Sequence, residues 1–419
     1  DLVVDMAQAK RGYANHVLYK GSDESKWAAM YAELVVNFPD MKGFKAQPVF
    51  GDKLFEGKLG EVTALRAART SQIDNKAPYY VIANTSESAV KAVNQALAEG
   101  KKVYLTDDGY IVDTPTFTSL LDRYAIYGDA LYKIPLGPTL KPLKVYAPPH
   151  QFSWAGVDAP AHTALALKNM GFEIVDRPED ADVIVLESNN YDKSLVGLKP
   201  TIVVGGSAMQ RLEKLGILDG FDAERFKNGS DYEGLMKAII QDQDPLTSGY
   251  KKDGLFYSNS GNWIAKIPAN FRTLASIAGS DFYIAGWWPG NEQLANKVVA
   301  IAGTYKEQPL FVYAGNPTNR LHPVHFYRWI SNAIFGSQLA ELTDLPSPAA
   351  PDPTYQAPSQ TVLDWKPATV NPPAQTVALT YKSQTLPQTG SQEKTASFAL
   401  AGLLIAWAAG LLLLKKKED

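Results

Sequence analysis

Residues 181–206 read ADVIVLESNNYDKSLVGLKPTIVVGG, and this stretch decides the fold class. It contains two short runs rich in β-branched residues, at 181–187 and 201–206, separated by a polar linker. Continuous apolar runs of this kind are typical of strands that are buried on both faces of a parallel sheet. The stretch therefore favours an α/β fold with a doubly wound, mostly parallel sheet.

A similar pattern lies upstream. Residues 79–83 (YYVIA) and 101–105 (KKVYL) predict two strands, with a helix between them that begins near Asn84 or Thr85 and ends at Gly100. A strand, a helix and a second strand in this order predict a right-handed crossover and a parallel pair of strands.

The pattern continues on both sides of the central stretch. Residues 143–147 begin a second unit, whose helix ends before Gly171. After Gly254 the strand-like stretches are separated by turn residues, which indicates a mixed edge of the sheet. Residues 326–335 (FYRWISNAIF) predict a closing helix with one apolar face.

Composition and charge exclude several classes of protein. The chain has 419 residues, of which 45% are hydrophobic and 20% charged, and these values argue against wholesale disorder and against a polytopic membrane protein. Lysine and arginine total 41 against 44 acidic residues, so no basic surface predicts nucleic-acid binding. Because cysteine is absent, disulfides, thiolate metal sites and a cysteine nucleophile are excluded.

The C-terminal end predicts a membrane anchor. Residues 397–414 carry no charge, and as a helix they would rise about 27 Å, close to the thickness of a hydrocarbon core. Three lysines follow at 415–417, and positive residues stay on the cytoplasmic side. This predicts a transmembrane helix at 397–414, a cytoplasmic tail at 415–419 and an external N-terminal part.

A pentapeptide precedes this span: Leu386, Pro387, Gln388, Thr389 and Gly390. With the apolar span and the lysines in order behind it, LPQTG resembles the LPXTG sorting signal of Gram-positive surface proteins. The resemblance implies that sortase cuts after Thr389 and joins its carbonyl to peptidoglycan. The expected location is the cell wall outside a Gram-positive cell, after a transient stay in the membrane. The alternative is a chance turn before a single-pass anchor.

The segment before the signal predicts a spacer. Nine of the 27 prolines lie between Pro346 and Pro387, in a stretch of low charge that favours extended chain. The sequence assigns no domain to residues 1–75, for which the end of an upstream domain is one interpretation. It predicts a small α/β unit at 76–142 and an α/β domain at 143–340. The spacer at 341–385, the sorting motif at 386–390, the span and the tail follow.

Two weak catalytic signals have structural alternatives. Ser207 follows the glycine pair, where a doubly wound sheet can carry a nucleophile elbow, but Met209 stands where the Gly-x-Ser-x-Gly motif requires glycine. A plain glycine-rich turn is the alternative. His322 and His325 have i, i+3 spacing and could bind a metal, or belong to a helix entry. We therefore expect no catalytic residue, no metal and no cofactor in this chain.

The zinc-peptidase motif is also missing. A His-x-x-Glu pair would supply two ligands of a carboxypeptidase-type zinc site. No acidic residue stands three positions after any of the five histidines, which are His16, His150, His162, His322 and His325.

A ligand site is predicted at the strand ends of the α/β domain. Trp287 and Trp288 offer stacking faces for a sugar or peptide, and Asn316, Asn319 and Arg320 offer hydrogen bonds and a positive charge. Both segments should follow strands, and ligands of doubly wound sheets lie outside the carboxyl ends of the strands. Packing of the two tryptophans beside the sheet is the alternative.

The order of segments carries a further resemblance. The strings that carry it are YYVIANTSESAVKAVNQALAEGKKVYL, KVYAPP, ADVIVLE, TIVVGGSA and PLFVYAGNPTNRLHPVHFYRWISNAIF. Over about residues 75–337 this order resembles the region that follows the peptidase domain in large secreted zinc carboxypeptidases of the carboxypeptidase A type, and it implies a class I glutamine amidotransferase-like fold. The elbow cysteine of that fold is replaced here by Gly206 or Ser207, so amidotransferase activity is not expected.

The resemblance implies that the chain is the noncatalytic C-terminal part of an anchored metallocarboxypeptidase, with zinc only in a domain upstream of Asp1. The other hypothesis is a surface adhesion or ligand-binding protein that recognises a glycan or peptide and has no peptidase domain.

Overall fold

The computed structural model describes residues 3–27, 37–51, 55, 57, 59–60, 71–135, 138–148, 150–152, 157–159 and 162–339. All of them belong to one unit, residues 1–350. The spacer, sorting motif, membrane span and tail predicted for residues 341–419 lie outside the described residues. In the parts of the chain that are described, no helix has the length and apolar character needed to cross a bilayer.

The helices of the described ranges are α1 (Arg11–Leu18), α2 (Phe38–Lys42), α3 (Glu87–Ala98), α4 (Thr114–Leu121), α5 (His162–Asn169), α6 (Gly206–Lys214) and α7 (Arg328–Gly336). The strands of the N-terminal half are β1 (Tyr79–Ala83), β2 (Tyr104–Leu105), β3 (Gly109–Asp113), β4 (Gly128–Leu131), β5 (Lys144–Tyr146), β6 (His150–Phe152), β7 (Val157–Ala159), β8 (Glu173–Val175), β9 (Val183–Leu186) and β10 (Thr201–Val204). The strands of the C-terminal half are β11 (Asp222–Ile240), β12 (Asp253–Lys266), β13 (Arg272–Ile277), β14 (Tyr283–Trp287), β15 (Val298–Tyr305) and β16 (Gln308–Tyr313).

One half of the large sheet is parallel, as the central stretch predicts. Its strands lie in the spatial order β8, β5, β9, β10, β16, and each pairs in parallel with its neighbours within this half. In order along the chain this is 2-1-3-4-5, the strand order of flavodoxin-like doubly wound sheets. All four residues of β9 and of β10 are buried, which explains their continuous apolar sequence.

The other half of the large sheet is antiparallel. From β16 the order continues through β15, β13 and β11 to β12, with β14 also paired to β11, and every one of these pairings is antiparallel. The sequence predicted a mostly parallel sheet with a mixed edge after Gly254. This prediction is wrong, because the antiparallel strands make up half of the sheet and not only its edge. From β12 to β16, successive strands are joined by at most ten residues, fewer than the dozen or more that a parallel crossover requires.

The strands β1 and β2 belong to a separate four-stranded sheet, and the parallel pair predicted for them does not form. The order is β2, β3, β1, β4, and β3 lies antiparallel to both β1 and β2. Residues 106–109 form a tight turn that reverses the direction of the chain. It is closed by a hydrogen bond from the amide of Thr106 to Gly109 O at 2.8 Å. β3 thus takes the place beside β1 that a crossover strand would occupy.

Helix α3 begins where its side-chain cap lies. Ser86 Oγ accepts from the amide of Ala89 at 3.3 Å, so Ser86 is the cap, and not Asn84 or Thr85 as the sequence suggested. The predicted apolar face is buried and includes Val90, Val93 and Leu97. Asn84, freed from a capping role, enters a buried polar cluster between the two sheets.

Helix α7 lies between the small sheet and the large one. It contacts α3 on one side and β10 on the other, and all nine of its residues are buried. The predicted apolar face, which includes Trp329, Ile330 and Ala333, is confirmed as buried. The sequence did not predict that the polar residues of this helix, Arg328 above all, would also be buried.

Candidate functional site

The turn between β10 and α6 has the position of an elbow, but a side chain from another loop fills it. Gly205 has φ +89°, a conformation that favours glycine. A Cβ atom at this position would lie 2.9 Å from Asn316 Nδ2, so the amide of Asn316 covers the turn. Asn316 Oδ1 in turn accepts from Ser260 Oγ at 3.1 Å, which fixes the amide over Gly205.

A second asparagine covers the next residue of the turn. A Cβ atom on Gly206 would lie 1.9 Å from Asn262 Nδ2 and 2.4 Å from Asn262 Cγ. Asn262 is 5% exposed, and its Oδ1 accepts from Gln210 Nε2 at 2.9 Å. Ser207 is exposed on the first turn of α6. The turn therefore consists of two glycines packed against Asn316 and Asn262, and of the two only Gly205 has a left-handed φ.

The N-terminus of α5 and the loop after β16 meet beside this turn. Glu187, directly after β9, accepts from the amide of Thr163 at 3.0 Å, and a carboxylate at the N-terminus of a helix is favourable. The hydroxyls of Thr163 and Thr318 lie 2.9 Å apart. The amide of Arg320 donates to His162 Nδ1 at 3.3 Å. These bonds hold the loop of residues 316–320 against the carboxyl ends of the parallel strands.

A carboxyl group lies at the other side of that loop. Glu233 of β11 accepts from Tyr257 Oη at 2.6 Å, and Tyr257 Oη accepts from Asn319 Nδ2 at 2.9 Å. Tyr257 is fully buried, so this chain of hydrogen bonds joins the surface loop to the interior of the sheet. We refer to Glu233, Tyr257, Asn319 and Arg320 as the Glu233 cluster.

Opposing effects act on the pKa of Glu233. Burial raises the pKa of Glu233 above its ordinary value, and the hydrogen bond from Tyr257 and the charge of Arg320 lower it in part. Burial and the neighbouring carboxyl raise the pKa of Tyr257, which keeps its proton for donation to Glu233. Arg320 has φ +49° and Leu321 φ +60°, left-handed conformations that cost about 1–2 kcal/mol each outside glycine. The loop thus holds a strained arginine near a carboxyl group.

The two segments of the predicted ligand site lie at the same edge of the sheet. Four successive antiparallel pairings separate β14 from β16, so the two strands run in the same direction and their carboxyl ends share an edge. Trp287, the last residue of β14, is the strand partner of Glu233. Glu233 therefore stands between the predicted aromatic segment and Asn319.

The two tryptophans have different environments. Trp288 is 1% exposed and packs with Phe226 and Tyr232, so it is a core residue rather than a stacking face. Trp287 is half-buried and stacks on Tyr232 at 5.6 Å and 7°. Its Nε1 donates to Trp27 O at 3.0 Å. Only Trp287 of this pair has an exposed surface.

The N-terminal segment runs along this edge. Residues 22–27 lie alongside β14. The amide of Gly286 donates to Ser22 O at 2.9 Å, and the amide of Glu24 donates to Gly286 O at 2.8 Å. Ser25 Oγ also accepts from the amide of Trp288 at 3.1 Å. Part of the region that has no assignment from the sequence therefore extends the sheet beside Trp287.

The predicted histidine pair has other contacts. His325 lies against the guanidinium of Arg328, and burial and that positive charge lower its pKa to about 3. His322 packs against Phe38 at 5.8 Å between ring centroids. Within the described ranges no group of three or more acidic or histidine residues has the spacing of a metal site.

Sequence reasoning found the loop residues Asn316, Asn319 and Arg320 but missed Glu233 and Tyr257. Both missed residues lie inside long strands, where alternation of polar and apolar residues is the only local signal, and that signal does not distinguish a ligand site from an ordinary strand.

Solved structures with some likeness to the chain have low similarity scores. A Thermoplasma acidophilum protein described as a GMP synthase subunit matches with a TM-score of 0.30 and 14% identity, covering 46% of this chain and 94% of that one. A glutamine amidotransferase from Thermotoga maritima matches with a TM-score of 0.28 and 13% identity, covering 45% and 81%. A ThuA-like protein from Parabacteroides merdae matches with a TM-score of 0.31 and 11% identity, covering 47% and 91%. These scores are too low to support a conclusion about this chain.

The C-terminal end gives the decisive comparison. No curated protein matches the sequence. Residues 378–419 match the model of the LPXTG cell wall anchor motif, a match that includes the pentapeptide, the apolar segment and the lysines. This motif implies processing by sortase and attachment to peptidoglycan. The protein is therefore a secreted surface protein anchored to the cell wall.

Proposed function

We propose that the α/β region of this wall-anchored protein is noncatalytic, and that it supports a zinc carboxypeptidase domain located upstream of Asp1. The observation that carries the first part is the packing of the elbow turn. An elbow nucleophile needs a side chain at the strained turn and open space above it. Here the turn consists of Gly205 and Gly206, and Asn316 and Asn262 fill the space above them.

Ser207 lacks the surroundings of a nucleophile. It lies one residue beyond the turn, on helix α6, and is exposed. A serine nucleophile requires a histidine within hydrogen-bonding reach and a third group that orients the histidine. His162 is engaged through Nδ1 with the amide of Arg320. The surroundings of Ser207 therefore support the proposal that this turn is noncatalytic.

A serine-reactive probe tests the noncatalytic assignment. The full chain should not react with a fluorophosphonate above the background of a Ser207→Ala variant. Labelling of the wild type that the Ser207→Ala variant loses would refute the proposal. A second serine in the same region, Ser260, provides the matched Ser260→Ala control.

The carboxypeptidase part of the proposal is supported by the order of the sequence segments over residues 75–337. The gene upstream of Asp1 is expected to encode a His-x-x-Glu pair and a distant histidine. The corresponding purified protein should contain zinc and release C-terminal residues from peptides, and chelation should abolish this activity. A signal peptide directly before Asp1 would refute this part and leave the noncatalytic assignment standing.

We propose Thr389 as the residue joined to peptidoglycan. Pro387 fixes its own φ and has no amide proton, which favours an extended segment that a transpeptidase can bind. The positive residues at 415–417 would hold the chain in the membrane during the reaction.

The Glu233 cluster supports a second candidate function, the binding of a wall-derived peptide or sugar that carries a carboxylate. Arg320 supplies a positive charge, Asn319 an amide and Trp287 a partly exposed aromatic face, all at one edge of the sheet. Tryptophan fluorescence of the full chain, titrated with muropeptides and with peptides that have a free C-terminus, should report binding. An Arg320→Ala variant should lose the response, whereas Arg225→Ala, an exposed arginine elsewhere on β11, should keep it. An unchanged emission with every ligand would refute this function.

A further inference from the structure

Helix α6 begins at the carboxyl end of β10 without a capping side chain. Its N-cap residue is Gly205, and its first hydrogen bond runs from the amide of Met209 to Gly205 O at 3.0 Å. The amides of Gly206, Ser207 and Ala208 have no acceptor among the described residues. Three such amides at the positive end of a nine-residue helix favour an acceptor that carries negative charge.

A buried side chain presents a further donor to this turn. Asn262 of β12 is 5% exposed, and its Oδ1 accepts from Gln210 Nε2 at 2.9 Å. Its Nδ2 has no acceptor within the described ranges and lies 1.9 Å from the Cβ position of Gly206. The N and Cβ atoms of one residue are about 2.5 Å apart, so Asn262 Nδ2 lies within about 4.4 Å of the Gly206 nitrogen. One oxygen atom placed between two donors this close can accept from both.

A second asparagine contributes from the loop after β16. Asn316 Oδ1 accepts from Ser260 Oγ, and Asn316 Nδ2 lies 2.9 Å from the Cβ position of Gly205. This Nδ2 also has no acceptor in the part of the chain that the structure describes. Ser207 is exposed, so a solute can approach the turn from its side. Donors from α6, from β12 and from the loop after β16 therefore meet at one turn.

The charged side chains near the turn have other contacts. The carbonyl oxygen of Glu187 lies 3.8 Å from the Cβ position of Gly205, but the carboxylate of Glu187 accepts from the amide of Thr163. The guanidinium of Arg211 donates to Tyr191 O at 3.3 Å. The donors identified at the turn are thus all neutral, and the helix end supplies a positive potential equivalent to about half an elementary charge. This favours a singly charged ligand over a dianion.

We propose that the N-terminus of α6, together with Asn262 Nδ2 and Asn316 Nδ2, binds the carboxylate group of a small ligand. A carboxylate has two oxygens that can each accept more than one hydrogen bond, so backbone amides and both side chains can donate to it. The asparagines lie at the Cβ positions of the two glycines, and the ligand lies beyond them, in front of the helix beside Ser207. Peptides with a free C-terminus and acidic sugars both carry this group. The site does not include the Glu233 cluster, and it does not depend on that cluster binding a ligand.

Thermal unfolding of the full chain in detergent tests the proposal with acetate as the probe. Acetate replaces chloride up to about 200 mM at constant ionic strength, so that charge screening stays equal. The melting temperature should rise by several degrees, with a saturable dependence on acetate. Asn262→Asp places a carboxylate oxygen where Nδ2 stands, so this variant should melt higher than the wild type in chloride and lose the response to acetate. Asn169→Asp makes the same change of charge at an exposed position at the end of α5, and should keep the wild-type response.

Crystals distinguish a carboxylate site from a general effect of acetate on stability. When crystals of the full chain are soaked in bromopropionate, an anomalous difference peak for bromine should lie beside the N-terminus of α6, and Asn262→Asp crystals should lack it. Equal acetate responses of the wild type and Asn262→Asp would overturn the proposal, and so would a bromopropionate soak that gives no peak there. A selenate peak at this position without a bromopropionate peak would indicate a phosphate-type site and would also refute the carboxylate assignment.

Discussion

A Gly206→Ala substitution would test the packing that closes the elbow. The new Cβ atom would lie 1.9 Å from Asn262 Nδ2, so the asparagine must move. Moving it breaks the 2.9 Å hydrogen bond with Gln210, at a cost of about 1 kcal/mol. Overpacking adds about 1–3 kcal/mol. Alanine returns up to about 1 kcal/mol of helix propensity at the start of α6. The net loss in the free energy of unfolding should be about 1–3 kcal/mol.

Denaturant unfolding of the single and double variants measures whether Asn262 is the cause. Asn262→Ala removes the two closest atoms and leaves the Asn262 Cβ at 3.0 Å, so the double variant should be more stable than additivity predicts by about 1–2 kcal/mol. Gly216→Ala is the control at the other end of α6. It has φ +59° and open space around its Cβ position, so it should cost only the left-handed conformation and show no coupling to Asn262.

Additive effects of Gly206→Ala and Asn262→Ala would refute this account. So would a Gly206→Ala protein as stable as the wild type. Either result would mean that Asn262 does not fill the turn, so its packing would no longer count against a nucleophile at Ser207.

Three further predictions concern the anchor, the cluster and the aromatic segment. Thr389→Ala should leave the protein in the membrane or the medium, and release of this variant by a muramidase alone would contradict the assignment. Burial raises the pKa of Glu233 in the folded state, so its contribution to stability is present below its unfolded pKa, roughly 4.3, and is lost as the pH rises through the folded value. In Glu233→Gln the free energy of unfolding should therefore fall less between acid and neutral pH than in the wild type. An equal fall in both proteins would contradict the raised pKa of Glu233. Trp288→Phe should cost about 1–3 kcal/mol because that ring is fully buried, and clearly more than Trp287→Phe, as measured by denaturant unfolding.

The parallel half of the large sheet was predictable because burial on both faces leaves a trace in consecutive residues. Val183–Leu186 and Thr201–Val204 have no polar positions other than Thr201, and the structure buries all eight residues. The small sheet was mispredicted although a signal existed. Asp108 and Gly109 form a dipeptide typical of tight hairpin turns, and they send the chain into β3. The crossover interpretation gave the helix between β1 and β2 more weight than this turn.

The polar groups at functional positions were predictable only where they lie in one loop. Asn316, Asn319 and Arg320 follow a strand end, and this position suggests a role in any doubly wound sheet. Glu233 joins them through Tyr257, which is 24 residues from Glu233 and 62 from Asn319 along the chain. The pairing of β11 with β12 creates this proximity, and no local pattern of residues specifies which strands become neighbours.

The anchor and the folded region differ in the kind of information that determines them. Sortase binds an extended segment, so the residues that it recognises are consecutive, and LPQTG can be identified without a structure. The junction of the two sheets depends instead on Asn84 and Asn332, which are 248 residues apart and lie 2.7 Å from each other in the fold. Substitutions in residues 386–390 should therefore change where the protein is located and leave the stability of the α/β region unchanged, because the last helix of the described ranges, α7, ends at Gly336. Substitutions at the junction should change stability and leave the sorting signal readable. We therefore expect the cellular location and the stability of the fold to respond to substitutions in different parts of the chain.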